Sequence, residues 1–196
     1  MGNLLARELG GHASGNEIKR WQPEQIDAMA LLDEQRLALK ANLAVMRCLD
    51  IQVHALERSI LARARLRQDY QALKTVSGIG DLLALTIALE TGDVARFDSA
   101  GHFASYARTV GSRRESNGKK KGEGNARCGN KHLAWAFIEA AHFAVRYDAA
   151  IKRWYQKKWA SSLAVVAIKA VAHKLARACY HVMKEGKPFD VARAFG

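Results

Sequence analysis

An all-α protein is the fold class that the sequence predicts, and three features of the sequence favour it. Among its 196 residues there are only two prolines, Pro23 and Pro188. Alanine, leucine, lysine and arginine are abundant, and all four are strong helix formers. Apolar residues make up 49% of the chain, which indicates a folded core rather than a disordered tail. We therefore expect helices throughout and no substantial sheet.

The first third of the sequence divides into a polar lead-in and a long helical segment. Residues 1–22 form the lead-in, where Gly10-Gly11 and Ser14-Gly15-Asn16 interrupt helical patterns. Pro23 suits the first residue of a helix. Because no glycine or proline occurs between Pro23 and Lys74, residues 23–72 are predicted to form one long helix or a helical hairpin.

Apolar residues in this helical segment recur in steps of three and four, the spacing of a coiled-coil seam. They are Met46, Leu49, Val53, Leu56 and Ile60. An ordinary amphipathic helix packed on a core would show the same pattern over so few heptads. The first interpretation predicts a homo-oligomer held together by the helical segment, and both interpretations stay open.

A glycine pair interrupts the helical pattern after residue 74. The run from Gly78 to Ala84, Gly-Ile-Gly-Asp-Leu-Leu-Ala, has the form of a helix-hairpin-helix element. In such an element Gly78 and Gly80 allow a tight turn, and the second helix presents free N–H groups to a nucleic-acid phosphate. The alternative is a hairpin that serves packing alone.

Residues 108–131 differ from the rest of the chain, because they contain eight Lys or Arg, two Glu and five of the fifteen glycines. We expect an exposed loop or short ribbon that carries the function. A Walker phosphate loop is excluded, because Gly118 and Gly122 are followed by Glu123-Gly124-Asn125. The predicted phosphate contacts are Arg113, Arg114, Lys119, Lys120, Lys121, Arg127 and Lys131.

Two serines, Ser112 and Ser116, lie among these cations. Cations can stabilise the charge that develops when a serine hydroxyl attacks a phosphodiester. Most loop serines only form turns, so composition alone leaves the role of both open. The net charge of +12 and the isoelectric point near 9.9 favour a polyanionic partner, although a soluble protein with solvated basic faces would have the same balance.

Other classes of site and location are disfavoured by the sequence. The three cysteines form no CxxC pair, the seven histidines lack metal-ligand spacing, and no acidic cluster could hold two magnesium ions. We therefore predict no metal or cofactor in this chain. No signal peptide and no membrane-spanning run is recognisable, which predicts a cytoplasmic protein without a membrane partner.

A series of motifs in fixed order resembles the C-terminal transposase domain of the insertion sequence one-ten family, which also includes the Piv-type DNA invertases. The motifs are Leu-Lys-Thr-Val-Ser-Gly-Ile-Gly at 73–80, Glu-Thr-Gly-Asp-Val-Ala-Arg-Phe at 90–97, Phe-Ala-Ser-Tyr-Ala at 103–107, Ser-Asn-Gly at 116–118 and Gly-Asn-Lys-His-Leu at 129–133. Residues 73–196 would be this domain, and residues 23–72 the coiled-coil linker before it.

The resemblance implies a DNA recombinase that works in transposition. Family members join a ribonuclease-H-like resolvase domain, with four acidic ligands for Mg²⁺, to a C-terminal domain that supplies a serine nucleophile, and some use a guide RNA. Ser116 matches the family serine best, and Ser112 is the second choice. Residues 1–22 would be the remnant of the resolvase-like domain, so we expect this chain alone to lack the acidic ligands and to be inactive. A non-catalytic helical DNA- or RNA-binding module, or a decayed transposase fragment, is the alternative function.

Overall fold

The computed structural model describes residues 13–111, 113–117, 119–123 and 128–196. The chain divides into two compact units, Met1–Ile60 and Leu61–Gly196. Helices make up most of the described residues in both units, and the β-structure among them is one short two-stranded ribbon. The predicted all-α class is confirmed. In the described part of the chain, no helix is long and apolar enough to span a bilayer.

The first unit contains α1 (Gly15–Arg20), α2 (Pro23–Asp27) and most of α3 (Asp33–Ala64). Ser14 caps α1 by accepting a hydrogen bond from the Glu17 amide at 3.2 Å, so part of the predicted polar lead-in is helical. Pro23 is the first residue of α2, as the sequence indicates.

The predicted long helix is interrupted between α2 and α3, where the sequence has no glycine or proline. The Arg36 guanidinium donates to the carbonyl oxygens of Asp27, the last residue of α2, and of Met29, which also accepts from the Leu31 amide. The Leu32 amide donates to the Gln35 side chain at 3.0 Å. Side-chain hydrogen bonds therefore stabilise the break, and composition gives little sign of it.

The core of the first unit lies between these three helices. Its buried members are Ile18, Ile26, Leu31, Leu39 and Leu43, and Met46 packs against them. Met46, the first residue of the predicted seam, therefore belongs to this core. The remaining seam residues, Leu49 to Ile60, stay between 40% and 62% exposed in the single chain.

The second unit begins at Leu61 and consists of short helices around one long central helix. They are α4 (Gln68–Leu73), α5 (Asp81–Thr91), a 3₁₀ turn (Val94–Arg96), α6 (Ala100–Tyr106), α7 (Lys131–Tyr147), α8 (Ala149–Trp159), α9 (Ala164–Glu185) and α10 (Val191–Phe195). The ribbon strands β1 (Arg113–Ser116) and β2 (Lys119–Glu123) lie between α6 and α7. Asp148 separates α7 from α8. It caps α8 through the amides of Ala150 and Ile151.

The core of the second unit forms around α9, whose inward face is buried from Ala167 to Met183. Helices α4, α6, α7 and α8 pack on it. Phe103 of α6 is fully buried and meets the rings of Phe97 and Phe137 edge to face, with centroids 5.2 and 5.9 Å apart. The Tyr180 hydroxyl donates to the Phe97 carbonyl at 3.0 Å, so the 3₁₀ turn is tied to α9.

The two glycines between α4 and α5 have different structural roles. Gly78 has φ +87°, and a Cβ there would overlap the Ala140 carbonyl oxygen and lie 2.6 Å from the Ala144 amide nitrogen of α7. Gly80 precedes α5 as its N-cap with φ −90°, and a Cβ there would meet no atom within 4 Å. Only Gly78 is therefore required by the packing of the turn on α7.

Alanine substitutions at the two glycines should separate these roles. Gly78→Ala combines a left-handed backbone with overlap against backbone atoms, so it should lower the free energy of unfolding by more than about 2 kcal/mol. Gly80→Ala is the matched control and should change it by less than about 1 kcal/mol. Urea denaturation of both variants measures the difference. Equal effects would show that α7 does not approach Gly78 as closely as described.

Candidate functional site

The basic segment forms an antiparallel ribbon at its centre. The Cα partners are Arg113 with Glu123, Glu115 with Lys120, and Ser116 with Lys119, with an irregularity between Arg113 and Glu115. We call β1 and β2 the basic ribbon. Because directly opposed Cα atoms in such a ladder are about 5 Å apart, the register brings the Ser116 and Lys119 backbones together at the end of the ribbon.

The turn that joins the two strands follows Ser116. Asn117 has φ +52°, a left-handed conformation that asparagine tolerates better than most residues. Asn-Gly is also the sequence preferred in two-residue hairpin turns, whose twist matches that of the flanking strands. The Ser-Asn-Gly motif at 116–118 therefore has a local structural reason besides any chemical one.

Both ends of the segment that contains the basic ribbon are held at the C-terminus of α6. The Asn130 amide donates to the Tyr106 carbonyl at 2.7 Å, and the Arg108 guanidinium donates to the Gly129 carbonyl at 2.9 Å. Gly129 has φ +90°, and a Cβ there would overlap the Tyr106 carbonyl oxygen. We call the contacts among Tyr106, Arg108, Gly129 and Asn130 the ribbon anchor.

Asn130 is the most highly connected residue of the ribbon anchor. Its side-chain oxygen caps α7 by accepting from the amides of His132 and Leu133, at 2.8 and 3.0 Å. Its side-chain nitrogen donates to Glu90 at the end of α5, at 2.6 Å. One side chain therefore ties the start of α7, the end of α5 and the base of the ribbon together.

Tyr106 and Arg96 lie beside Asn130 in the same cluster. The Arg96 guanidinium stacks over the rings of Phe97 and Tyr106, at 4.5 and 4.8 Å from their centroids. Hydrogen bonds from Arg96, and then from Asn130, lower the pKa of the Tyr106 hydroxyl. A partly buried polar network of this kind favours one arrangement of the ribbon base.

Thr109 attaches the beginning of the segment that contains the basic ribbon to α6. Its hydroxyl is buried and donates to the Ala104 carbonyl at 2.9 Å. The His173 ring of α9 lies 3.5 Å from the same oxygen. Burial, followed by the charges of Arg177 and Lys174, lowers the pKa of His173, which favours the neutral ring at neutral pH.

The predicted site residues that the structure describes lie in the basic ribbon, at the start of α7 and in the turn between α4 and α5. Arg113, Arg114 and Ser116 belong to β1, and Lys119, Lys120 and Lys121 belong to β2, while Lys131 is the exposed first residue of α7. Gly78 and Gly80 lie in the turn between α4 and α5. Ser112 and Arg127 lie outside the described residues.

The structure also shows residues at the base of the ribbon that the sequence did not single out. Glu90, Arg96, Tyr106 and Asn130 hold the ribbon in place, yet none was a candidate. An asparagine before an apolar helical pattern is a recognisable N-cap signal, so Asn130 could have been found in part. Its bond to Glu90 crosses 40 residues of sequence and has no local signal.

The N-terminus of α5 already has a carboxylate beside it. Asp81 accepts a hydrogen bond from the Tyr70 hydroxyl at 2.9 Å and pairs with the Lys74 ammonium at 2.6 Å. These hydrogen bonds, with Lys74 the larger contributor, lower the pKa of Asp81. Binding of a phosphate by the hairpin at Gly78 and Gly80 therefore stays a prediction. Over the described ranges, no three His, Cys, Asp or Glu side chains lie close enough to hold a metal ion.

Comparison with known proteins identifies the domain that contains these features. Residues 70–156 match the model of the Transposase IS116/IS110/IS902 family. A probable family 20 transposase of Pseudomonas aeruginosa is 29% identical over 136 residues, which cover 67% of this chain and 40% of that protein. An insertion element IS110 uncharacterized 43.6 kDa protein of Streptomyces coelicolor is 25% identical over 136 residues, covering 69% of this chain and 29% of that protein.

The chain thus spans less than half the length of these two relatives. The matched segment runs from α4 to α8 and includes the glycine turn, the ribbon anchor and the basic ribbon. The resemblance inferred from the order of the motifs is confirmed: residues 70–156 match the transposase domain of the IS116/IS110/IS902 family.

Proposed function

We propose that this chain is the DNA-engaging part of a transposase and that Ser116 is the nucleophile for strand exchange. The observation that carries the proposal is the register of the basic ribbon, which pairs Ser116 with Lys119 at the end of β1. A lysine at that position can stabilise negative charge near an attacked phosphate. The ribbon anchor supports the proposal, because it holds the base of the segment in one arrangement.

The cross-strand register also gives the Cα partners of the charged residues in the ribbon. Arg113 is paired with Glu123 and Lys120 with Glu115, so two of the cations have an acidic residue as their backbone partner. Arg114, Lys119 and Lys121 have no acidic Cα partner in this register. We propose that these three provide the main attraction for a DNA phosphate, with Lys131 at the base of the ribbon adding to it.

The proposed step exchanges one phosphorus–oxygen bond for another. The Ser116 oxygen forms a bond to the phosphorus of a DNA phosphodiester, and the bond from phosphorus to one deoxyribose oxygen breaks. The serine proton passes to solvent, and the departing deoxyribose oxygen takes up a proton. The product is a covalent protein–DNA phosphodiester, which stores the bond energy for rejoining to a second strand.

Two further partners are proposed for the intact protein on the strength of the resemblance. One is an acidic resolvase-like domain that holds Mg²⁺, and the other is a guide RNA. The described residues of this chain do not fit a magnesium site, because they contain no suitable acidic cluster. The steps assigned to this chain therefore use its own serine and cations.

The charge argument predicts the salt dependence of DNA binding. Replacement of Lys119, Lys120 and Lys121 with alanine removes three candidate phosphate contacts. The slope of log affinity against log salt on duplex DNA should flatten by about two to three units. Fluorescence anisotropy with a labelled duplex, over a series of salt concentrations, measures the slope.

A control with the same change in net charge separates local contacts from bulk attraction. Lys19, Lys40 and Arg67 each pair with an aspartate, namely Asp50, Asp27 and Asp69. Their triple alanine variant should shift the slope by less than about one unit. Equal slopes for the two triple variants would show that the basic ribbon does not contact DNA.

The nucleophile is tested by trapping the covalent product. This chain is joined, in cis or in trans, to the resolvase-like domain of a longer relative and supplied with magnesium and DNA. Ser116→Ala should abolish the covalent protein–DNA adduct on a denaturing gel while leaving DNA affinity within a few-fold of wild type. Ser112→Ala is the comparison and should retain the adduct.

The double variant decides between a serine of this segment and another nucleophile. An adduct that persists when Ser112 and Ser116 are both alanine would refute the serine mechanism. Retained DNA binding in that case would favour the non-catalytic binding module. If neither adduct nor salt-dependent binding is found with the wild-type chain, the proposed function as a whole is wrong.

We also propose that copies of this chain associate through the seam on α3. Leu49, Val53, Leu56 and Ile60 recur at seam spacing on one side of the helix and are exposed in the single chain. Apolar residues at this spacing are covered when two helices pack in a coiled coil.

Charge on the seam should dissociate the assembly. Leu56→Glu should reduce the mass measured by light scattering to that of one 21.6 kDa chain, while wild type has a multiple of it. Ile51→Glu is the matched control, because Ile51 is 64% exposed on the same helix but lies on the opposite side from the seam. A wild-type chain that is monomeric throughout would contradict the proposal.

A further inference from the structure

Helix α8 is the most strongly basic helix of the second unit. Its sequence, Ala-Ala-Ile-Lys-Arg-Trp-Tyr-Gln-Lys-Lys-Trp, contains four cations and no acidic residue. The cations are Lys152, Arg153, Lys157 and Lys158, and all four are exposed. Ile151 is the residue by which the helix is buried in the core. Most of α8 therefore faces solvent with an uncompensated positive charge.

No cation of α8 lies within ion-pair distance of a carboxylate in the described structure, whereas Lys19, Lys40, Arg67 and Arg193 elsewhere in the chain each do so. Asp148 precedes α8, and its carboxylate is engaged by the Ser77 hydroxyl, by the first amides of the helix and electrostatically by Arg153. The charge of Lys152, Lys157 and Lys158 is thus available to an external anion.

Two aromatic rings stack on the surface of the same helix. Tyr155 and Trp159 lie with centroids 5.9 Å apart and planes 30° from parallel, and Trp159 is 53% exposed. Trp154, by contrast, is used internally, because it meets Phe195 edge to face and lies under the Lys174 ammonium. The ring of Trp159 is therefore exposed to solvent, whereas the ring of Trp154 packs against other residues of the chain.

Helical spacing places these groups side by side. Lys152, Tyr155, Gln156 and Trp159 follow at intervals of three and four residues and so share one strip of the helix surface. Arg153 and Lys157 lie about 120° and 160° around the helix from Trp159, on a different side. Lys152 is therefore the cation that shares a strip with the flat apolar ring on which a base can stack.

We propose that α8 is a binding platform for single-stranded DNA, with Trp159 stacking on an unpaired base and Lys152 contacting the backbone. The inference rests on the proposed function, because strand exchange exposes unpaired DNA beside the cleaved phosphate. Duplex DNA cannot use the platform fully, since its bases already stack on one another. Stacking on a tryptophan accepts any base, so the platform selects for single strands rather than for sequence.

The test compares single-stranded and duplex DNA on variants of α8. Labelled oligodeoxythymidine should bind Trp159→Ala about tenfold more weakly than wild type, the size of effect expected when one base loses its stacking partner. Duplex affinity should change by less than twofold. Trp159→Phe keeps a ring and should recover most of the single-strand affinity, which excludes a folding defect as the cause.

A matched tryptophan elsewhere provides the control. Trp135 on α7 is 47% exposed and lies one turn from Lys131 on one side and from Glu139 on the other, so it tests whether any exposed tryptophan near a cation supports binding. Trp135→Ala should leave single-strand affinity unchanged. Lys152→Ala should flatten the salt dependence on the oligonucleotide by about one unit, and Lys157→Ala, on another side of α8, should leave it unchanged.

Specific outcomes would overturn the platform. Two of them concern Trp159→Ala: an unchanged affinity for single-stranded DNA, or equal losses of affinity for duplex and single-stranded DNA. The third is tighter binding of the matching oligoribonucleotide by the wild-type chain. The fourth is binding to anionic lipid vesicles that depends on Trp159 while oligonucleotide binding does not. The adduct and ribbon assays use Ser116 and Lys119 to Lys121 on duplex DNA. If the α8 variants show no effect while the adduct and ribbon assays give the expected results, the platform is wrong and the proposed function stands. If the adduct and ribbon assays fail while the α8 variants behave as expected, the proposed function is wrong and single-strand binding by α8 stands.

Discussion

The hydrogen bond from the Asn130 amide to the Tyr106 carbonyl, at 2.7 Å, closes the segment that contains the basic ribbon. Closing a flexible loop as long as the segment from Tyr106 to Asn130 costs about 3 kcal/mol of chain entropy. Each hydrogen bond of the ribbon anchor contributes about 1 kcal/mol, so several are needed to hold the base closed. Asn130 supplies bonds from its backbone and from both side-chain atoms, and this is why one residue can join α5, α6 and α7 at the foot of the ribbon. The position of Ser116 depends on this anchor.

The positive charge of the chain is organised differently in its two candidate nucleic-acid surfaces. In the basic ribbon, the register opposes two cations with two glutamates and leaves three cations without an acidic Cα partner. On α8, four cations share one short helix with no acid, beside a stacked aromatic pair. The first arrangement suits the concentrated charge of a phosphate under attack, and the second suits a strand whose bases are exposed. A net charge alone does not distinguish these uses.

Several features of the fold were predictable because their signals are local. Pro23 begins a helix because its fixed φ suits a first helical turn. Ser99 caps α6 through the His102 amide, and Gly186 ends α9 in a left-handed conformation. The seam predicted from spacing is not decided in the same way, because Leu49 to Ile60 are exposed in the single chain and Met46 belongs to the core of the first unit. Spacing identifies the side of a helix and does not say what covers it.

The sequence by itself determined the all-α class, the resemblance to the transposase family and the location of the basic segment, since composition, motif order and charge are all properties of the chain as written. The tertiary structure decided which residues those features depend on. Gly78 is required by the backbone of α7, and Asn130 reaches Glu90 across the fold. Trp154 packs on Phe195 while Trp159 stays exposed on the same helix. These distinctions arise from contacts between residues far apart in sequence, where no local pattern records which side chains will meet.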